Sequence, residues 1–311
     1  MRRATVLLMG AFLCGTSLGR DLTFFVWSDT HFGACDRSHM TQRRIIEQMN
    51  RLPGTPYPEG VFEGEAVGKP AFLLHLGDIT ENGLPSEWDD PTSADHRSYI
   101  QTIRHLTATE MTCEAIGNHD SRMHPNIRRQ IARKHGGTYY SFDVEGVHFV
   151  VLDAYTNRNP AVAHLGEKQL EWLRADLAVV GGGRPVIIAM HAGPPRRSIS
   201  GNGSRAVDNS VECLWSIVAD TNVIAFLHGH LHAASRGRWF EFDTVAPAGL
   251  AYKRRGCAHG QPVFGVVRIT SNRMVVLGWD WEKERFLSHR IFEKSFSEGS
   301  ASGRPTAEAA R

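Results

Sequence analysis

The chain has 311 residues, 41% of them hydrophobic, 22% charged and 9% aromatic, which excludes wholesale disorder, a collagen-like repeat and a multi-span membrane protein. Lys and Arg number 35 against 33 Asp and Glu, and without Arg2 and Arg3 in residues 1–19 the balance is 33 of each sign. No global field then remains to attract nucleic acid or an anionic membrane, so any anion must be held by local groups.

Arg2 and Arg3 precede an apolar run, Ala4 to Gly15, and the small residues Ser17 and Gly19 follow. This order of basic start, apolar stretch and small-residue exit predicts a signal peptide over 1–19 and a secreted or periplasmic mature protein. The run is shorter than the roughly 20 apolar residues a membrane span needs. Four cysteines would stay in the mature part, Cys35, Cys113, Cys213 and Cys257, and export permits three ways of pairing them. Short apolar runs at Leu22–Trp27, Ala71–Leu76, Cys113–Ile116, His148–Leu152, Pro185–Met190 and Val223–Leu227 read as buried strands. Helical patterns lie between them at Met40–Arg51, Tyr99–Leu106 and Glu167–Val179, the last with Leu170, Leu173 and Leu177 on one face. Pro53–Lys69 is rich in Gly, Pro and Glu and reads as a surface insertion. Beyond Phe226 the pattern becomes antiparallel, with strands at Trp239–Phe242, Val263–Ile269, Arg273–Gly278 and Phe286–Phe292. The expected organisation is a layered α/β domain over 20–293 and a disordered tail over 294–311.

Metal-ligand residue types recur where predicted strands end: Asp29 and His31, Asp78, Asn118-His119-Asp120, His191, and His230 with His232. In a layered α/β fold the carboxyl ends of neighbouring strands converge on one edge, so separate segments deliver these side chains to one place. Carboxylate, imidazole and carboxamide without thiolate suit Zn, Mn, Fe, Ni or Co. The donors are too many for one ion, and two ions sharing a carboxylate would use them, a pair suited to in-line displacement at phosphorus. His75, His148 and His228 read as structural histidines. The basic clusters Arg196-Arg197 and Lys253-Arg254-Arg255 read as solvated surface before substrate-anion contacts, which loops after strand ends near His191 could supply, and Asn202-Gly203-Ser204 is a glycosylation sequon by pattern alone.

The ordered set Asp29-x-His31, Gly77-Asp78, Gly117-Asn118-His119-Asp120, His191 and Gly229-His230-x-His232 resembles that of the calcineurin-like metallophosphoesterases, over Leu22 to His232. The stretch Gly77–Gly83 with Ser86-Glu87-Trp88, and Gln169–Leu173, are similar to segments of the class III cyclic-nucleotide phosphodiesterase branch. The resemblance implies a four-layer α-β-β-α sandwich and two divalent metal ions. It assigns Asp29, His31, Asp78 and His232 to one ion, and Asp78 as bridge with Asn118, His191 and His230 to the other. It implies attack by a bridging hydroxide, with Asn118 and His119 meeting the phosphate, His119 protonating the leaving oxygen and Asp120 orienting its ring. Glu81 stands where purple acid phosphatases carry a tyrosine ligand, so Fe(III)–tyrosinate chemistry is not expected. The implied substrate is a small phosphate ester, a diester before a monoester or nucleotide; a non-catalytic scaffold is the remaining alternative, although such scaffolds usually lose ligands that this chain keeps.

Overall fold

The computed structural model describes residues 21–34, 38–81, 94–121, 126–156, 163–194, 211–250 and 260–296. The leader-like segment, Ser86-Glu87-Trp88, both basic clusters, the sequon, Cys35, Cys257 and residues 297–311 lie outside these. The elements run β1 (Asp21–Trp27), α1 (Ser38–Arg51), β2 (Leu73–His75), α2 (Ala94–Ile103), β3 (Thr112–Glu114), α3 (Asn126–His135), β4 (Tyr140–Val144), β5 (Val147–Val151) and α4 (Glu167–Val180). They continue as β6 (Val186–Met190), α5 (Val211–Val218), β7 (Val223–His228), β8 (Ser235–Trp239), β9 (Phe242–Ala246), β10 (Val263–Thr270), β11 (Arg273–Asp280), β12 (Arg285–Phe286) and β13 (Phe292–Ser295).

Two mixed sheets result. The first has the order β12-β11-β10-β1-β2-β3, with β13 also on β11, and the second the order β4-β5-β6-β7-β9-β8. Alternation along the strands decides what each sheet faces. In β6, Ile187 and Ala189 join the core between the sheets, while Val186, Ile188 and Met190 join a second core under α4 and α5. Phe149 of β5 lies edge-on to Phe24 and Phe72 of the opposite sheet, with ring centroids 5.5 and 5.1 Å apart. Each such ring, fully buried, contributes about 1.5–3 kcal/mol of transfer free energy. On the first sheet, α1 packs Ile45, Ile46 and Met49 into the same buried cluster as that sheet's strands. The order is therefore helix, sheet, sheet, helix, the α-β-β-α sandwich of the expected mixed α/β class.

Several expected boundaries move. Trp239–Phe242 is the turn of the β8–β9 hairpin and not a strand, with Phe240 at φ 52°. The aromatic residues that suggest a strand there pack at the hairpin's closed end. β8 and β9 pair antiparallel, as the pattern beyond Phe226 leads one to expect, and β9 also lies parallel to β7, which joins the hairpin to the second sheet. Lys294 and Ser295, assigned to a tail, belong to β13, which pairs from Phe292↔Val276 to Ser295↔Arg273. The insertion at 53–69 is no loose loop: Tyr57, Val61, Phe62 and Val67 are buried. Arg268 binds both Asp21 and Glu65, at 2.8 and 2.6 Å, and lies 4.3 Å over the Phe62 ring. Cys113 is a buried free thiol, so a pairing of all four cysteines is not formed. No described helix is long and apolar enough to cross a membrane.

Candidate metal centre

β1, β2 and β3 are mutually parallel in the first sheet, as are β5, β6 and β7 in the second. Their carboxyl ends face one another across the sandwich, and every expected ligand follows one of them. Asp29 and His31 follow β1, Asp78 follows β2, Asn118 follows β3, His191 follows β6, and His230 and His232 follow β7. Backbone bonds join the loops, Asp29 N to the Gly77 carbonyl and Gly229 N to the His191 carbonyl, both at 3.0 Å. The joint is tight: a Cβ on Gly117 would collide with the backbone N and Oδ1 of Asp78, and one on Gly229 with the hydroxyl of Ser28. The turns are also strained. Among nine described non-glycine residues with positive φ are Asp29 (52°), His31 (43°), Asp78 (51°), His230 (68°) and His232 (56°). Such conformations cost of order 1 kcal/mol or more each and persist where the surroundings enforce them, characteristically at functional sites.

The seven expected ligands come together, sharing Asp78. Asp29, His31, Asp78 and His232 form one group of mutually close donors and Asp78, His191 and His230 another, each with its donor atoms within 4.8 Å of one another. Asp78 Oδ2 lies 3.2 Å from His191 Nε2 and 3.8 Å from His31 Nε2. His232 Nε2 lies 3.3 Å from both His31 Nε2 and Asp29 Oδ1. Asn118 Oδ1 completes the second group, 3.1 Å from His191 Nε2. Nitrogen and oxygen donors about 2.0–2.2 Å from a shared ion stand about 3–4.4 Å apart, so these separations match those of ligands around a cation. Asp29 Oδ1 is fully buried and accepts no hydrogen bond among the described residues, an orphan that a cation would satisfy. The donor set therefore fits a pair of divalent ions.

Neighbours aim these donors. His191 Nδ1 donates to the Leu76 carbonyl at 2.7 Å, leaving Nε2 as the atom facing Asp78. His31 Nδ1 sits 2.7 Å from Glu81 Oε2, which leaves its Nε2 facing inward in the same way. Ser28 donates to Asp29 Oδ2 at 2.6 Å, and the His230 amide donates to the same oxygen at 3.1 Å. His75 accepts the Gly77 N–H at Nδ1 and bonds Thr30 through Nε2, so its role is structural, and burial lowers its pKa to about 4. Electrostatics mirror the geometry. Burial opposes the Asp29 charge, yet His232 and His191 hold its pKa down to about 2. Burial also opposes a charged His191, but the Asp78 carboxylate lifts its pKa to about 9. Burial and the His191 charge lower His230 to about 4. Buried carboxylates thus draw positive charge to their centre, as protons or as metal.

The expected Asp120–His119 pair is not formed in the expected way. Asp120 accepts the backbone N–H groups of Ile79, Thr80 and Gly117, at 3.2, 2.9 and 2.9 Å, and so clamps the Asp78 loop to the Asn118 loop. The His119 ring is instead anchored by Glu81, whose carbonyl accepts from Nδ1 and whose carboxylate lies 3.8 Å from it. The His119 amide donates to Asp78 Oδ1 at 2.8 Å. Glu81 is the functional residue that sequence reasoning missed, having marked it only as a missing tyrosine. Its place three residues after Asp78 was the available signal.

Comparison with known proteins agrees with the geometry. The calcineurin-like phosphoesterase family model matches residues 22–234, which hold every ligand named above. The chain belongs to that family. A probable cyclic nucleotide phosphodiesterase of Rhodococcus erythropolis is 26% identical over 194 residues, 59% of this chain and 58% of that protein. Purple acid phosphatase 22 of Arabidopsis thaliana is 31% identical over 113 residues, 36% of this chain and 24% of that protein. The serine/threonine-protein phosphatase CPPED1 of Pongo abelii is 24% identical over 217 residues, 67% of each chain. The chain therefore spans well under two thirds of the first two relatives. Among solved structures, a dimetal phosphatase from Danio rerio superposes with a TM-score of 0.62 at 16% identity, covering 89% of this chain and 99% of that one, a likeness of fold.

Proposed function

We propose that this phosphoesterase hydrolyses small phosphate esters, diesters before monoesters, at a centre holding two divalent ions from among Mn, Fe, Zn, Ni and Co. The observation that carries the reading is the sharing of Asp78 by the two donor groups. One ion would be held by Asp29, His31, Asp78 and His232, the other by Asp78, Asn118, His191 and His230. When bound, such a pair supplies Lewis acidity towards a phosphoryl oxygen and activates water. The chain's own residues do the rest. His119 has its Nδ1 tied to the Glu81 carbonyl, so Nε2 is the atom available to give a proton to the leaving oxygen. Asn118 points its Oδ1 towards His191, which leaves its amide N–H groups to orient a phosphoryl oxygen. The side chains of His119 and His232 keep 17% and 35% of their surface exposed, whereas Asp29 and Asp78 are buried, so substrate approaches from the histidine side.

Similarity to a probable cyclic nucleotide phosphodiesterase supports the diester, and the phosphatases among the relatives keep the monoester as the second reading. Bis-(p-nitrophenyl) phosphate and p-nitrophenyl phosphate, assayed side by side with each metal, test the choice. Faster turnover of the monoester would reverse it, and no turnover of either would favour the scaffold. The leader-like residues 1–19 support export. N-terminal sequencing of the mature protein should begin near Arg20, and intact Met1 on exported material would contradict it.

A further inference from the structure

A hydroxyl group at the edge of this centre has no assigned role. Tyr155 follows the carboxyl end of β5, the strand beside β6, and its ring centroid lies 6.2 Å from that of His191. The residue is only 1% exposed, and its hydroxyl has no hydrogen-bond partner among the described residues. A buried hydroxyl left unpaired is unfavourable and rare, and calls for an explanation. The surroundings are not uniformly apolar. The Tyr155 amide donates to Asp153 Oδ1 at 2.9 Å, which places the backbone beside that carboxylate. Burial first, and then the Asp78 and Asp29 charges ahead of that of Asp153, raise the phenol far above its ordinary value. The Tyr155 ring neighbours that of His191 at the edge of the centre, and a phenol is protonated at neutral pH and can donate a hydrogen bond.

We propose that Tyr155 is a further donor of the active centre, whose O–H bonds an anionic oxygen held on the His191 side. That oxygen belongs to solvent on the ions or to the phosphoryl group of the ester; both accept from a phenol in the same way. The inference rests on the two-ion reading. It explains why a phenol occupies a place that Phe would fill with the same ring and no orphaned group.

The test compares Tyr155→Phe with the unaltered protein in three states: metal-free, loaded with Mn²⁺, and loaded with Mn²⁺ plus inorganic phosphate. Two equivalents of Mn²⁺ bound to the unaltered protein are the control, and fewer would refute the two-ion reading whatever Tyr155 does. In the metal-free state the variant should melt at or above the unaltered protein, because it lacks the orphaned group. In a loaded state it should melt lower, by about 2 °C or more. Reversal with Mn²⁺ alone identifies solvent oxygen as the partner. Reversal only with phosphate identifies the phosphoryl oxygen, and the Kd for phosphate should then weaken about 10- to 100-fold, the worth of one hydrogen bond to a charged group. The same melting difference in all three states, with phosphate affinity unchanged, would overturn the proposal.

Discussion

Removing the Glu81 carboxylate tests how far the metal centre depends on residues that hold no metal. Its Oε2 lies 2.7 Å from His31 Nδ1, and the Glu81 side chain is only 11% exposed. The pairing of a ring nitrogen and a carboxylate at that distance, buried, contributes about 1.5–3 kcal/mol. Its loss frees the His31 ring to turn and lets either nitrogen carry the proton. Orienting partners of ligand histidines are typically worth about 10–100-fold in metal affinity, which corresponds to a similar free energy. Glu81→Ala should therefore weaken the site that includes His31 by about 10- to 100-fold. Glu81→Gln, which keeps an acceptor but no charge, should fall between. The backbone carbonyl that holds His119 Nδ1 survives both changes, so turnover at saturating metal should drop much less than affinity. Chelator competition with Zn²⁺ or Mn²⁺ measures the first quantity and metal-saturated kcat the second. An affinity within twofold of the unaltered protein for Glu81→Ala would refute the orienting role.

Asp78→Asn should lose metal at both positions, because the donor groups share that carboxylate; elemental analysis still finding two ions per chain would contradict the bridge. His119→Ala should keep both ions and lose about 10²–10⁴-fold in rate for poor leaving groups, and less for nitrophenolate, which needs little protonation. Equal losses across a leaving-group series would point to charge stabilisation instead. In the metal-free protein, His191 has its pKa raised from 6.5 to about 9, so the stability its proton supplies is complete below pH 6.5 and lost as pH rises through 9. Asp29, held at about 2 against 3.8, adds stability that is present above pH 3.8 and lost as pH falls through 2. Melting temperature of the metal-free protein should therefore decline on the alkaline side, and bound Mn²⁺ should flatten that limb. A metal-free profile level from about pH 7 to 10 would count against the His191–Asp78 pairing.

Much of this centre is legible in the sequence because strand ends and tight turns are local. Asp29, His31, Asp78, Asn118, His191, His230 and His232 each follow a short apolar run, and an apolar run in an alternating α/β chain becomes a parallel strand with its carboxyl end at the site edge. The layered architecture follows from the same periodicity. The hairpin at Trp239–Phe242 and the edge strand β13 were misread, since a few aromatic or serine-rich residues do not distinguish strand, turn and tail without their partners. What the tertiary structure alone decided is which side chain sits on which. Asp120 is adjacent to His119 in sequence and Glu81 is 38 residues away, and only the fold puts the backbone carbonyl of the distant residue on the ring. The backbone explains the exchange: three N–H groups of two facing loops claim Asp120, so its carboxylate has no freedom left for its neighbour. Tyr155 was invisible for the same reason, because a buried orphaned hydroxyl is a property of its surroundings and leaves no trace in the order of residues.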